Sequence, residues 1–392
     1  MRRPEAHAQF KILVGFIVPE DTAFAAEAES LIAGFELFLM ENKVSSVEIL
    51  KKSAGSNGKE TLTGLAELVM KHEVRFLVSP PTLSGSEKCI HGIPPGKVVL
   101  FVTNPAVRLV SGEMCIPGAF RLGANTYQSA RPLAPWSLTN LGRKVFITGV
   151  DDSQGNEQAD FFAYGFERAG GQFADREMVR TDGKDTEPLL NSIRKSNADF
   201  VFASFRGGTA EAFLKAVQSA SPGLGKPVVG PESLTCYPEP LTSMGDAGFG
   251  VKTLGTLRDA AAFARKVEKH TGTRVTNAVR AAEGYDTASI VFKAAESGNA
   301  ANGETENLIK FIEQTEIDGP RGKIRFDKNH EPILDMFVQQ WESGKRGPRQ
   351  RIVQELGTVP SLDFGCGRVG FPKKTDLELQ DEKRREEQSD EK

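Results

Sequence analysis

The stretch 144–231 constrains the fold more than any other. Three short apolar runs, 145–150 (VFITGV), 200–203 (FVFA) and 228–230 (VVG), each end in a polar turn containing glycine. The first two turns each open a segment with helical spacing of apolar residues. Strand, turn and helix in alternation indicate a parallel sheet with crossover helices. Ligands collect at the carboxyl ends of the strands in such sheets. Asp152, Ser153, Phe205, Arg206 and Glu232 are therefore expected along one lip.

The same alternation precedes this stretch. Runs 11–18, 47–50, 74–79 and 97–102 read as strands, and 23–42 and 60–72 as helices. Pro80-Pro81 stops the third strand, and Ser84 is placed to cap the helix that follows. A helix carrying Trp136 is expected over 125–141, delayed or kinked by Pro132 and Pro135. After the central stretch, 251–254 and 333–341 read as strands, and 258–271, 277–297 and 304–314 as helices. Residues 320–326 read as a turn and strand. Two β-α series of similar size imply two similar lobes.

The 392 residues, 39% hydrophobic and 26% charged, suffice for two or three domains with proper cores. A net charge of −3 gives no reason to expect a nucleic-acid partner or a membrane surface. No apolar run approaches the roughly 20 residues of a membrane span, so the chain is expected not to span a membrane. Residues 1–8 lack an apolar signal core, but Ala6-His7-Ala8 has the small-x-small form of a cleavage site. They read as a cytosolic leader or as the remnant of an export signal. After Pro372 a mixed-charge run cannot bury a core and reads as a solvated tail, so 361–392 is taken as a C-terminal extension.

The four cysteines, Cys89, Cys115, Cys236 and Cys366, form no C-x-x-C, and no histidine spacing suggests zinc. Cys89 and Cys115 flank one strand-loop unit and are a candidate disulfide; four buried thiols fit the sequence as well. Cys236 with Cys366 is the weaker pair. Catalytic motifs are missing. The turn after the first strand has no G-x-G-x-x-G, and no G-x-S-x-G or H-E-x-x-H occurs. The stretch 55–60 (GSNGKE) lacks the spacing and the Ser/Thr of a phosphate loop and reads as a turn. Asp151-Asp152 suits the capping of a helix start. No enzyme activity, metal or cofactor is expected.

Several segments together resemble a known family. They are 146–152 (FITGVDD) with Gly155 and Ala159, 166–171 (FERAGG), 197–202 (NADFVF), 229–232 (VGPE), and 244–247 (MGDA) with Gly250. Further on come 283–286 (EGYD) and 318–322 (DGPRG) with Phe326-Asp327. In order and spacing the chain resembles the type I periplasmic solute-binding proteins of ABC importers, in the branch that binds branched-chain amino acids, amides and aromatic acids. The resemblance runs over about residues 10–341 and implies two α/β lobes joined by three crossovers. One lobe would be 9–122 plus 251–328, the other 123–250 plus 329–360. A small ligand would lie between them, held as the lobes close on a hinge.

The resemblance also implies ligand positions. Ser84 matches the lobe-one serine that bonds a ligand carboxylate, and Thr103 and Asn104 stand where the family has a Ser/Ala/Thr segment. Ser153 replaces the family's aromatic after Asp152. Phe205 and Arg206 fall where aromatics often stand, and Glu232 matches the acid that holds an ammonium group. Glu27 or Phe24 would approach from the first helix, and Tyr285 belongs to a matched segment. The expected function is capture of an amino acid, an amide or an aromatic or other organic acid for ABC permease subunits, by a periplasmic monomer. A cytosolic ligand sensor of the same fold is the alternative.

Overall fold

The computed structural model describes residues 11–20, 22–54, 59–94, 96–180, 186–220, 223–235, 249–302, 304–344 and 347–364. The leader, most of the 55–60 turn, Cys236, Cys366 and the charged tail fall outside these residues. The first sheet runs β2-β1-β3-β4-β5, from β1 (Ile12–Val18), β2 (Val47–Ser53), β3 (Phe76–Val78), β4 (Val99–Val102) and β5 (Ala119–Arg121). All its pairings are parallel. Its connections are α1 (Thr22–Glu41), α2 (Lys59–Ala66) and α3 (Leu83–Gly92). Alternate side chains point to opposite faces. Val14, Phe16, Phe76 and Phe101 pack toward α1, while Ile17, Leu77, Leu100 and Val102 pack toward α2 and α3. Coverage of both faces is why these strands read as unbroken apolar runs.

The second lobe repeats the plan. α4 (Thr126–Ala130) and α5 (Leu133–Asn140) lead into β6 (Lys144–Val150), α6 (Ser153–Arg168), β7 (Gln172–Val179), α7 (Thr186–Lys195), β8 (Phe200–Ser204), α8 (Gly207–Ser219) and β9 (Val228–Gly230). β10 (Lys252–Gly255) pairs in parallel with β9. The chain then returns to the first lobe through α9 (Ala260–Thr271), α10 (Ala278–Glu296), α11 (Asn299–Asn302) and α12 (Thr305–Glu313). It leaves again through β11 (Ile317–Gly319), β12 (Gly322–Phe326), β13 (Pro332–Gly344) and β14 (Gly347–Val359). The second sheet is ordered β11-β12-β13-β10-β9-β8-β6-β7, with β14 on β13. The chain thus passes between the lobes after β5, after β10 and before β13.

Two expectations need correction, and one strand lies outside them. Residues 251–254 were assigned to the first lobe, but β10 fills the second sheet between β9 and β13, where Thr253 and Leu254 are buried. The crossover therefore begins at Thr256. The antiparallel β14 has no counterpart in the sequence reading, because its residues are mostly exposed and carry no apolar alternation. Cys89 and Cys115 do not bridge. Cys89 is free and buried among Leu65, Leu68 and Ile93, where burial pushes its thiol up to about 12, whereas Cys115 is disulfide-bonded.

At Gly34 and Gly284 the backbones of α1 and α10 come into direct contact. A Cβ on Gly34 would meet the carbonyl oxygen of Ala281 at 1.7 Å, and one on Gly284 would meet that of Leu31 at 1.8 Å. This approach aligns the two helix starts and sets Glu27 beside Arg280. Gly284→Ala is expected to lower unfolding free energy by about 1–3 kcal/mol, because the obstacle is backbone. Chemical denaturation checks it; an unchanged midpoint would mean that the helices separate freely.

Candidate functional site

A cavity of about 290 Å³ lies between the lobes and is walled by both. The first lobe contributes Phe24, Glu27, Pro81 and Thr103, and the returning chain adds Asn277, Arg280 and Glu283. The second lobe contributes Gln154, Gln158, Arg206, Thr209 and Glu232. Local structure explains these positions. β6 and β8 end side by side, so their carboxyl-end turns share one lip. Asp152 caps α6 by accepting the Gly155 N–H at 2.9 Å. Its carboxylate also takes both terminal nitrogens of Arg206, Nη1 at 3.2 Å. Arg206 is the N-cap of α8 but offers no side-chain acceptor there. Gly207, with φ of 57°, and Gly208 start that helix against the cavity. A helix start of this kind suits an anion.

Glu232 follows β9 in a short 3₁₀ turn. One carboxylate oxygen accepts the Thr256 N–H and the other the Thr256 hydroxyl, each at 2.9 Å. Among the described residues it has no cation partner. Burial pushes it up to about 7 against those two bonds, and the Glu283 charge adds to the rise. Thr256 opens the second crossover, so this carboxylate also grips the connection between the lobes.

A row of buried charges forms the facing wall. Arg280 donates through Nε to Glu27 at 2.8 Å, and through Nη1 to Glu283 at 2.7 Å and to the Thr103 carbonyl at 2.9 Å. Arg321 lies 3.9 Å from Glu283 and donates to Asp286 at 2.6 Å and to the Leu122 carbonyl at 2.9 Å. Burial pushes Glu27 up to about 7 despite Arg280, and Asp286 up to about 6 despite Arg321. Burial disfavours the charge on Arg280, but Glu283 and Glu27 outweigh it and hold its guanidinium above the usual range. The cleft and this row together hold five carboxylates (Asp152, Glu27, Glu232, Glu283, Asp286) against three guanidiniums (Arg206, Arg280, Arg321). Among the described residues, no group of three or more His, Cys, Asp or Glu is placed to hold a metal ion.

Of the residues singled out in the sequence, Phe24, Glu27, Thr103, Arg206 and Glu232 line the cavity. The others lie elsewhere. Ser84 is exposed on α3 and accepts from Lys88 at 3.1 Å. Thr82 caps that helix instead, accepting the Gly85 N–H. Asn104 folds its own turn, accepting the Ala106 N–H at 3.0 Å and donating to the Pro81 carbonyl at 2.8 Å. Ser153 is exposed on the first turn of α6. Phe205 is buried and stacks on Phe213 at 4.6 Å. Tyr285 points away from the cleft, between Phe38 and Phe263, and donates to Glu41 at 3.0 Å.

Sequence reasoning missed Arg280, Glu283, Gln154, Gln158 and Thr256. One signal was available: Arg280 and Glu283 stand three apart in an alanine- and valine-rich helix. Charges at that spacing in an apolar run indicate a buried ion pair on one face. Asp286 continues the face, and Tyr285 does not.

Comparison with known proteins agrees with this architecture. A family model described as periplasmic binding protein matches residues 11–346. The Leu/Ile/Val-binding protein homolog 6 of Brucella abortus (strain 2308) is 24% identical over 331 residues, 81% of this chain and 83% of the relative. A solute binding protein of an ABC transporter from Rhodopseudomonas palustris BisB5, in complex with 3,4-dihydroxybenzoic acid, superposes with a TM-score of 0.79 at 21% identity, covering 89% of this chain and 98% of that one. A branched-chain amino acid transporter substrate binding protein from Streptococcus pneumoniae, in complex with isoleucine, gives 0.70 at 16% identity, over 88% and 99%. The chain belongs to the periplasmic binding protein family and has the two-lobed α/β fold of its type I members.

Proposed function

We propose that this protein captures a small organic ligand in the cleft between its lobes and delivers it to an ABC importer, without chemical turnover. The observation that carries the reading is the cavity walled by both lobes, with charged groups facing each other across it. Its volume suits a molecule of amino-acid or benzoate size. Closure around such a ligand would remove water and strengthen every polar contact. The bending would occur at the three crossovers. In this reading the protein works in the periplasm as a monomer and presents the closed form to the permease subunits.

The cleft chemistry favours an amino acid, an amide or an aromatic or other organic acid. Two of the proteins named above were solved with ligands, one with 3,4-dihydroxybenzoic acid and one with isoleucine. A ligand carboxylate would find Arg206 and the open first turn of α8. An ammonium group would find Glu232, which lacks a cation among the described residues.

Thermal-shift screening of amino acids, amides and aromatic acids tests the reading: at least one should raise the melting temperature, and the absence of any shift would overturn it. For an anionic ligand, Arg206→Ala should weaken binding about 10- to 100-fold, as expected for a lost charge-assisted hydrogen bond, while Asp152 still caps α6. Calorimetry checks this; unchanged affinity removes Arg206 from the site. Glu232 keeps its proton to about 7 when folded, well above the ordinary glutamate value of 4.5. Its contribution to stability is therefore intact below 4.5 and is lost as the pH rises through about 7. The ligand-free Glu232→Gln variant should gain about 1–3 kcal/mol on the parent between about pH 5 and about pH 8. A difference independent of pH would show that Glu232 stays ionised.

A further inference from the structure

The first lobe holds a hydrogen-bonding seat that is half made. Three acceptors fix the Arg280 guanidinium: Glu27, Glu283 and the Thr103 carbonyl. They engage Nε and Nη1. Nη2 lies on the same edge of the guanidinium as Nε, and among the described residues it has no partner. The same holds for Oε1 of Glu27, whose Oε2 accepts from Nε at 2.8 Å. A guanidinium and a carboxylate that meet edge to edge can close two parallel bonds. Here one is closed, between Nε and Oε2, and no second bond joins Nη2 to Oε1. Both residues line the main cavity, and behind them is a nook of about 10 Å³ lined by Phe16, Leu31 and Val78. The nook has room for one water at most, so a ligand group reaches the open pair from the cleft.

Charge and hydrogen-bond polarity decide what fits. Arg280 already faces two carboxylates, so the seat has no surplus positive charge. A ligand carboxylate could accept from Nη2, but its second oxygen would meet Glu27 acceptor to acceptor. An ammonium group could donate to Glu27 but would press donors against Nη2. A carbonyl and an N–H held in one plane satisfy both.

We propose that Arg280 and Glu27 form the specificity-determining seat of the first lobe, and that it takes a neutral carboxamide or urea-type group of the ligand. The ligand carbonyl accepts from Arg280 Nη2, and the ligand N–H donates to Glu27 Oε1. This deepens the cleft reading above and rests on it. Glu27 accepts in its ionised form, and burial holds its proton to about 7, so the seat is complete above about pH 7 and the ligand pairs are compared there. Arg280 and Glu283 face it from α10, and Arg206 from the start of α8.

The test uses matched amide and acid pairs, benzamide with benzoate and leucinamide with leucine among a wider panel, measured by calorimetry on the full chain. The parent should bind the amide of a pair about tenfold or more tightly than the acid, as expected for one misplaced charged contact. Glu27→Gln presents an N–H donor as well as an acceptor and should shift the amide-to-acid ratio toward the acid by a similar factor. Glu27→Asp keeps the charge but withdraws the oxygen. It should weaken the amide without raising the acid, and it stands in if Glu27→Gln does not fold. Binding of acids alone, with a ratio that neither variant moves, overturns the seat and leaves the cleft reading intact. If no solute of any class binds, both fall.

Discussion

The close approach of α1 and α10 governs the site. Gly34 and Gly284 let the two backbones touch, and the helix starts then reach the cleft together. Glu27 from one helix and Arg280 from the other meet at 2.8 Å. From that pair the charges continue through Glu283 and Arg321 to Asp286. A wider separation of the helices would leave Glu27 and Arg280 buried apart, and an unpaired buried charge costs several kcal/mol.

The same charges are fastened to the connections between the lobes. Arg321 holds the carbonyl of Leu122, where the chain first leaves the first lobe. The carboxylate of Glu283 lies where a side chain on Gly123 would stand. Glu232 holds both the N–H and the hydroxyl of Thr256 in the second crossover. In the turn before β13, Glu331 pairs with Arg121 of β5 in a fully buried bridge at 2.7 Å. Groups at the cleft and groups at the crossovers therefore belong to one connected set. A ligand that changes the charge of Glu232 also changes what grips the second crossover.

The alternating apolar runs carried the fold. Burial on both faces leaves a plain signal in β1, β4, β6 and β8. β14 left none, because a strand paired on one side and largely exposed needs no apolar period. β10 was recognised as a strand but placed in the wrong lobe; its four residues do not record which sheet receives them. At the site, Arg206 and Glu232 were legible because strand ends are predictable places. Phe205 and Ser153, one residue from Arg206 and Asp152, turn elsewhere, since alternation at a strand end and rotation at a helix start send neighbours to different sides. Ser84 failed for a local reason: Thr82 caps the helix, which puts Ser84 on its exposed face. The pairing of Arg280 with Glu27 was hidden because the two are 253 positions apart in the chain, although Glu283 three residues on marked the buried face.

Native mass spectrometry of the gently purified protein tests the central claim most directly, that both lobes together hold a small organic molecule in the cleft. The parent is expected to carry, or to take up from a solute mixture, one small molecule per chain. A double variant, Arg206→Ala with Glu232→Gln, is expected to lose it while remaining folded. A parent that holds no small molecule under any condition, or a double variant that holds it as firmly as the parent, would contradict the account.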